Sequence, residues 1–192
     1  MNFSYQHNNR FFAQIADGME ELGRQELQQL GAEDVQTTFR GLYFTAEKEA
    51  LYRINYSARI ISRVFAPLLS FACHSTKYLY KTARTIPWVN LFGLDETFVI
   101  SANVANSKIR HSQYASLVLK DAIVDSFREM YNERPDVARI NADICFNLHI
   151  ANNKATIYLD TSGGSLHRRG YRQDTGEAPM QETLAAAIIH LS

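Results

Sequence analysis

Apolar positions along this chain recur with two periods, and each change of period marks an element. Residues 11–16, FFAQIA, are a short apolar run that predicts a strand. The polar residues before it, MNFSYQHNNR, read as a loose lead-in. Asp17 and Glu20, three apart, suit a helix start, and Met19, Leu22, Leu27 and Leu30 then share a helical face closed by Gly31. Val35, Thr37 and Phe39 alternate up to an Arg40-Gly41 break, after which a second apolar run predicts a strand pair or one bulged strand. Leu51, Ile54, Ala58 and Ile61 return to helical spacing over 47–62, and 64–71 is strand again, with Pro67 arguing for an edge or a bulge. This order of elements predicts a small ferredoxin-like α+β unit.

The second half opens differently. Residues 75–92 read as a basic helix broken near Pro87, with Trp88 anchoring the turn. Residues 97–106 read as a strand, and 112–131 as a helix with Ala115, Leu119, Ala122, Ile123, Phe127 and Met130 on one face. From Ile140 to Ile150 the alternation is strict, the turn Ala151-Asn-Asn-Lys follows, and 155–160 alternate back, which predicts a long half-buried hairpin. Residues 179–192 predict a helix with Pro179 in its first turn and Leu184, Ala187, Ile188 and Leu191 as an apolar stripe. The chain stops on that stripe, so Ser192 is expected to be a cut end with a further domain beyond it.

Composition adds little: 46% apolar and 21% charged residues describe an ordinary globular protein. No apolar run is long enough to span a membrane. Cys73 and Cys145 lie far apart among apolar neighbours, with no metal spacing, as expected of reduced thiols in a cytoplasmic protein. Charge distribution says more than the net charge of zero. Residues 50–94 carry six Lys or Arg and no acid, a plausible footprint for a polyanion.

No GxSxG, HExxH, CxxC or P-loop pattern is present, and the glycine pair 163–164 opens a basic loop and not a dinucleotide-binding turn. Catalytic and metal sites are therefore not assigned. Binding features stand out instead. Lys77, Lys81 and Arg84 share one helix face, interleaved with Tyr78 and Tyr80, rings on which bases can stack or which can equally pack into the core. Lys108, Arg110 and His111 precede a helix N-terminus, where free N–H groups favour phosphate and Ser112 is the expected cap. Lys120 on that helix is either a phosphate contact or a solvated charge. The loop SGGSLHRRGYR adds His167, Arg168, Arg169, Tyr171 and Arg172, suited to a nucleic-acid contact or an interdomain joint.

The run LDTSGGSLHRRGYRQDTGEAPMQETLAAAII, with HSQYASLVLKDAIVDSFRE and TIPWVNLF, resembles bacterial THUMP-containing ribosomal RNA guanine-N2 methyltransferases, often labelled N6-adenine-specific DNA methylases. The resemblance implies a ferredoxin-like domain at 1–73, an RNA-binding THUMP domain at 74–162, a basic linker at 163–178, and at 179–192 the first helix of a truncated Rossmann-like methyltransferase domain. It also implies S-adenosylmethionine as cofactor of the full-length enzyme, none bound to this fragment, and structured RNA, ribosomal RNA foremost, as partner alongside the chain's own downstream domain. The catalytic motifs would lie past Ser192, leaving this piece inactive alone; the resemblance places Pro179, Glu182 and Leu184 in the stretch that leads into the methyltransferase fold near the cofactor pocket. Two other readings stay open: a THUMP arm for transfer-RNA thiouridine or pseudouridine synthesis, and a ferredoxin-like regulatory or dimerising module. DNA as the methylated substrate is a variant of the first.

Overall fold

A computed structural model describes residues 3–170 and 179–192. The first half runs α1 (Ser4–Asn8), β1 (Arg10–Gln14), α2 (Glu20–Gln29), β2 (Glu33–Thr38), β3 (Gly41–Thr45), α3 (Lys48–Ser57) and β4 (Arg63–Ala72). The second runs α4 (Thr76–Ala83), a 3-10 turn at Trp88–Asn90, β5 (Phe98–Ala105), α5 (Ser112–Tyr131), β6 (Ile144–Ala151), β7 (Lys154–Asp160) and α6 (Glu182–Leu191). The chain forms two compact units, one of residues 5–66 with the described part of 164–192, the other of residues 3–4 with 67–163.

In the first unit the sheet order is β2-β3-β1-β4, antiparallel throughout. With α2 and α3 interposed, this is the expected ferredoxin-like arrangement. The register pairs Phe11 with Phe44 and Ala13 with Leu42, so these four side chains face the buried side together. Leu27 of α2 and Ile54 of α3 pack into the same core. A Cβ on Gly23 would lie 2.3 Å from Ile15 Cδ1 and 3.0 Å from Leu42 Cδ1, so a larger residue there would require the buried Ile15 side chain to shift.

Several local expectations are corrected here. Asp17 and Glu20 do not cap α2; Met19 occupies the cap without a side-chain bond. Arg40, left-handed at the β2–β3 turn, directs its N–H to Glu20 Oε1 at 3.1 Å and so claims that carboxylate. Helix α3 ends at Ser57, because Ala58 adopts extended backbone, yet Ala58 and Ile61 are buried as their spacing suggested. The N-terminal lead-in contains a short helix, α1. Pro67 stands past Phe65, the last β4 residue paired with β1, where its missing N–H leaves that ladder intact.

In the second unit the order β4-β7-β6-β5 combines an antiparallel β6–β7 hairpin with a parallel β5–β6 pair. The parallel pair follows from α5, which crosses between β5 and β6. Residues 112–131 form α5 as predicted, with Ala115, Leu119, Ala122, Ile123 and Phe127 buried, but Met130 is exposed. Trp88 is core and not merely a turn anchor. It is fully buried, donates Nε1–H to the Ala83 carbonyl at 2.9 Å, and meets Phe146 edge-on at 5.2 Å. Phe92 completes the cluster against Phe98 and Phe127.

The strict alternation from 140 overstated the hairpin. Asn141 is left-handed, Ile140 is exposed, and the strand begins at Ile144. On β7 the residues Ala155, Thr156, Ile157 and Tyr158 are all buried, so that strand does not alternate. Helix α6 begins at Glu182, not Pro179, and buries Thr183 and Ala187 while Leu184, Ile188 and Leu191 are exposed. Among the described residues no helix is long and apolar enough to cross a membrane.

Candidate nucleic-acid interface

The β6–β7 turn organises this surface. Asn152 and Asn153 both have positive φ, 51° and 60°, as a two-residue hairpin of this twist requires. The Asn153 carbonyl accepts the Cys73 N–H at 2.6 Å, just before α4. Its side-chain Oδ1 accepts the Lys108 N–H at 2.9 Å, and its own N–H donates to Ser107 Oγ at 3.0 Å, just before α5. One turn thus tethers the approaches to two helix N-termini, whose free N–H groups and dipoles favour anions.

The sequence around these tethers carries only positive charge: His74 and Lys77 at the start of α4, Lys108, Arg110 and His111 ahead of α5, and Lys154 beside the turn, all exposed. Ser75 caps α4 by accepting the Tyr78 N–H at 3.2 Å. At α5 the cap residue is His111, without a side-chain bond, and the expected cap, Ser112, is the first helical residue. Lys77 and Lys81 lie one turn apart on α4, both exposed, with the half-exposed Tyr78 ring between them in sequence.

Other candidates have structural partners. Arg84 pairs with Glu129 of α5, and Tyr80 donates its hydroxyl to Asp125 at 2.8 Å. That hydrogen bond to the carboxylate raises the Tyr80 phenol above its ordinary range, with desolvation adding to it. These bonds fasten α4 to α5, so Arg84 and Tyr80 are held to the protein instead of facing solvent with Lys77 and Lys81. Lys120 meets the neighbouring Asp121 at 2.7 Å.

In the other unit Arg169 is a clamp. Its Nε donates to Leu166 O at 2.7 Å, Nη1 to Tyr56 O at 2.9 Å, and Nη2 to Asn55 O and Ala58 O at 3.0 and 3.1 Å. The fork therefore closes the C-terminus of α3, where orphan carbonyls need donors. Glu26 serves the opposite polarity, accepting the N–H groups of Arg59, Ile60 and Ile61 at 2.7–3.2 Å. His167 Nδ1 is bonded to Ser165 Oγ at 2.7 Å, while Arg168 is exposed. Tyr171 and Arg172 lie outside the described residues. Gly163 and Gly164 follow β7, but no helix starts at them, so they form no cradle for a nucleotide cofactor. Pro179 and Leu184 are exposed, while Glu182 lines a cleft with His167 and Arg169.

Sequence reasoning passed over Asn153. The doublet Asn152-Asn153 was legible as a turn, but its side-chain bond to Lys108 joins residues 45 apart and leaves no local pattern.

Family comparison agrees with this architecture. The RlmL ferredoxin-like domain matches residues 10–65, and the THUMP domain matches residues 73–160. Among solved structures, a predicted N6-adenine-specific DNA methylase from Listeria monocytogenes str. 4b F2365 is similar over 96% of this chain and 48% of its own, at 28% identity and TM-score 0.82. A protein of Clostridium difficile 630 named as a methylase is similar over 96% of this chain and 49% of its own, at 28% identity and TM-score 0.81. SMU.472, named as a methyltransferase and complexed with SAH, is similar over 100% of this chain and 50% of its own, at 26% identity and TM-score 0.82. The chain spans about half the length of these three structures. The chain thus carries an RlmL-type ferredoxin-like domain followed by a THUMP domain.

Proposed function

We propose that this chain is the RNA-gripping region of an S-adenosylmethionine-dependent RNA methyltransferase that modifies guanine N2 in large-subunit ribosomal RNA. One observation supports the grip above all others. Asn153 ties the approaches to α4 and α5 to one turn, and every charged side chain on the tethered segments is basic. Two helix N-termini, with Lys77, Lys81, Lys108, Arg110 and His111 around them, offer N–H groups and cations to a phosphate backbone. A-form RNA hides its base edges in a deep groove, so an arm of this kind reads shape and phosphate positions. Choice of the target base then falls to a methyltransferase domain, and the named methylases among the structural relatives support methyl transfer as the partner chemistry. S-adenosylmethionine would supply the methyl group there; the residues of this chain would hold and orient the RNA.

Electrophoretic mobility shift with a structured ribosomal RNA fragment tests the grip, with duplex DNA as competitor. RNA must be retained against excess duplex DNA; equal displacement by both would remove the RNA assignment. For the chemistry, tritiated S-adenosylmethionine is supplied to the full-length protein with ribosomal RNA, and label at guanine N2 is the supporting result. Label at another nucleotide or in transfer RNA would replace the substrate assignment and leave the gripping role standing.

A further inference from the structure

The outer face of α3 carries two tyrosines that none of the bonds above uses through their rings. Tyr52 is 66% exposed and Tyr56 84%, and a spacing of four puts their rings one turn apart on one side of the helix. Lys48 precedes Tyr52 by the same step, so lysine, tyrosine and tyrosine form a row. Arg53 is exposed on its flank and Arg59 just past its C-terminal end. The Arg169 clamp on the Tyr56 carbonyl brings the neighbouring exposed Arg168 to the same end.

The acids nearby are fewer and partly engaged. Glu49 flanks the row, Glu47 accepts from Asn9 Nδ2 at 3.1 Å, and Glu26 is held by the backbone N–H groups of Arg59, Ile60 and Ile61. Past Tyr56 opens a cleft of about 810 Å³ within the same unit, lined by Tyr56, Arg59, His167, Arg169 and Glu182 among others. Along α3 itself the rings are flanked by the charged side chains of Lys48, Glu49 and Arg53, and the cleft past Tyr56 adds the aliphatic Ile60, Leu166 and Ile189. Exposed rings edged by guanidinium and ammonium groups suit a strand whose bases stack and whose phosphates meet cations.

We propose that the Tyr52–Tyr56 ridge of α3 is a second RNA contact, one that takes an unpaired strand by base stacking. It rests on the RNA-binding reading above but uses a different surface: the cluster around Asn153 takes phosphates of structured RNA, and α3 takes unpaired nucleotides. The test is fluorescence anisotropy with two labelled RNAs, a blunt hairpin and the same hairpin with a short unpaired tail. The tail is expected to tighten binding about tenfold, from one well-stacked base. Tyr52→Ala with Tyr56→Ala should abolish that gain and leave the blunt hairpin unchanged, while Tyr52→Trp with Tyr56→Trp should preserve it. Both sites are exposed, so folding is expected to survive, and circular dichroism checks this. A tail that adds nothing, a gain that survives the double alanine variant, or equal weakening of both RNAs overturns the ridge. Wild-type protein that binds neither RNA overturns the RNA-binding reading and the ridge with it; binding of the blunt hairpin without a tail effect overturns the ridge alone.

Discussion

Asn153 holds Lys108 through a 2.9 Å bond from the Lys108 N–H to its side-chain oxygen, while its backbone carbonyl takes the Cys73 N–H. A single left-handed residue therefore sets where two basic segments begin. Asn153→Gly keeps the backbone freedom and removes only the side-chain acceptor. It should lower stability by about 1 kcal/mol in urea unfolding and weaken RNA binding in the same preparation. Asn153→Val adds the strain of a β-branched residue at positive φ and should lose roughly 1–3 kcal/mol more.

Arg169 serves α3 instead of solvent. Arg169→Ala strips four carbonyl oxygens of their donor and should destabilise the chain by about 2–3 kcal/mol, read from the urea midpoint. Arg169→Lys should recover only part, since one ammonium cannot span the three carbonyls at the end of α3.

The two thiols should differ in reactivity. Cys73 is fully buried, and burial pushes its thiol above the ordinary range; Cys145 is half-buried. Alkylation with iodoacetamide at neutral pH, followed by mass spectrometry, should label Cys145 first and Cys73 only in denaturant.

Asp143 links the starts of β5 and β6 by accepting the Thr97 N–H at 2.8 Å and the Thr97 hydroxyl at 2.7 Å. The backbone bond from Thr97, followed by the hydroxyl bond, holds the carboxyl below its usual value of 3.8. Its stabilising effect is therefore complete above that value and disappears as the pH falls through the depressed one. Thermal melts from pH 5 downward should show an acid-side decline that is shallower in Asp143→Asn.

Much of the fold was readable because it is periodic. The stripe from Ala115 to Phe127 defined α5, and Asn152-Asn153 between apolar runs located the hairpin. What escaped depended on long-range partners. Glu20 looked like a cap residue until Arg40, bent into a left-handed turn, claimed it. The alternation through Ile140 looked like strand, but Asn141 breaks the backbone before Ile144. At the candidate site the basic residues were visible one by one. Which of them face solvent was not, because Glu129 and the carbonyls at the end of α3, which engage Arg84 and Arg169, are distant in sequence.

The salt dependence of RNA binding tests the central account most directly. Binding of a structured RNA is measured across a salt series for wild type, for Lys77→Glu with Lys81→Glu, and for Arg84→Gln. Wild type should show a steep negative log–log slope, and the α4 double variant should lose about 0.7–0.9 of a unit for each phosphate contact removed. Arg84→Gln, whose partner is Glu129, should leave the slope in place. A flat wild-type slope, or a double variant that binds as wild type does, would contradict the account.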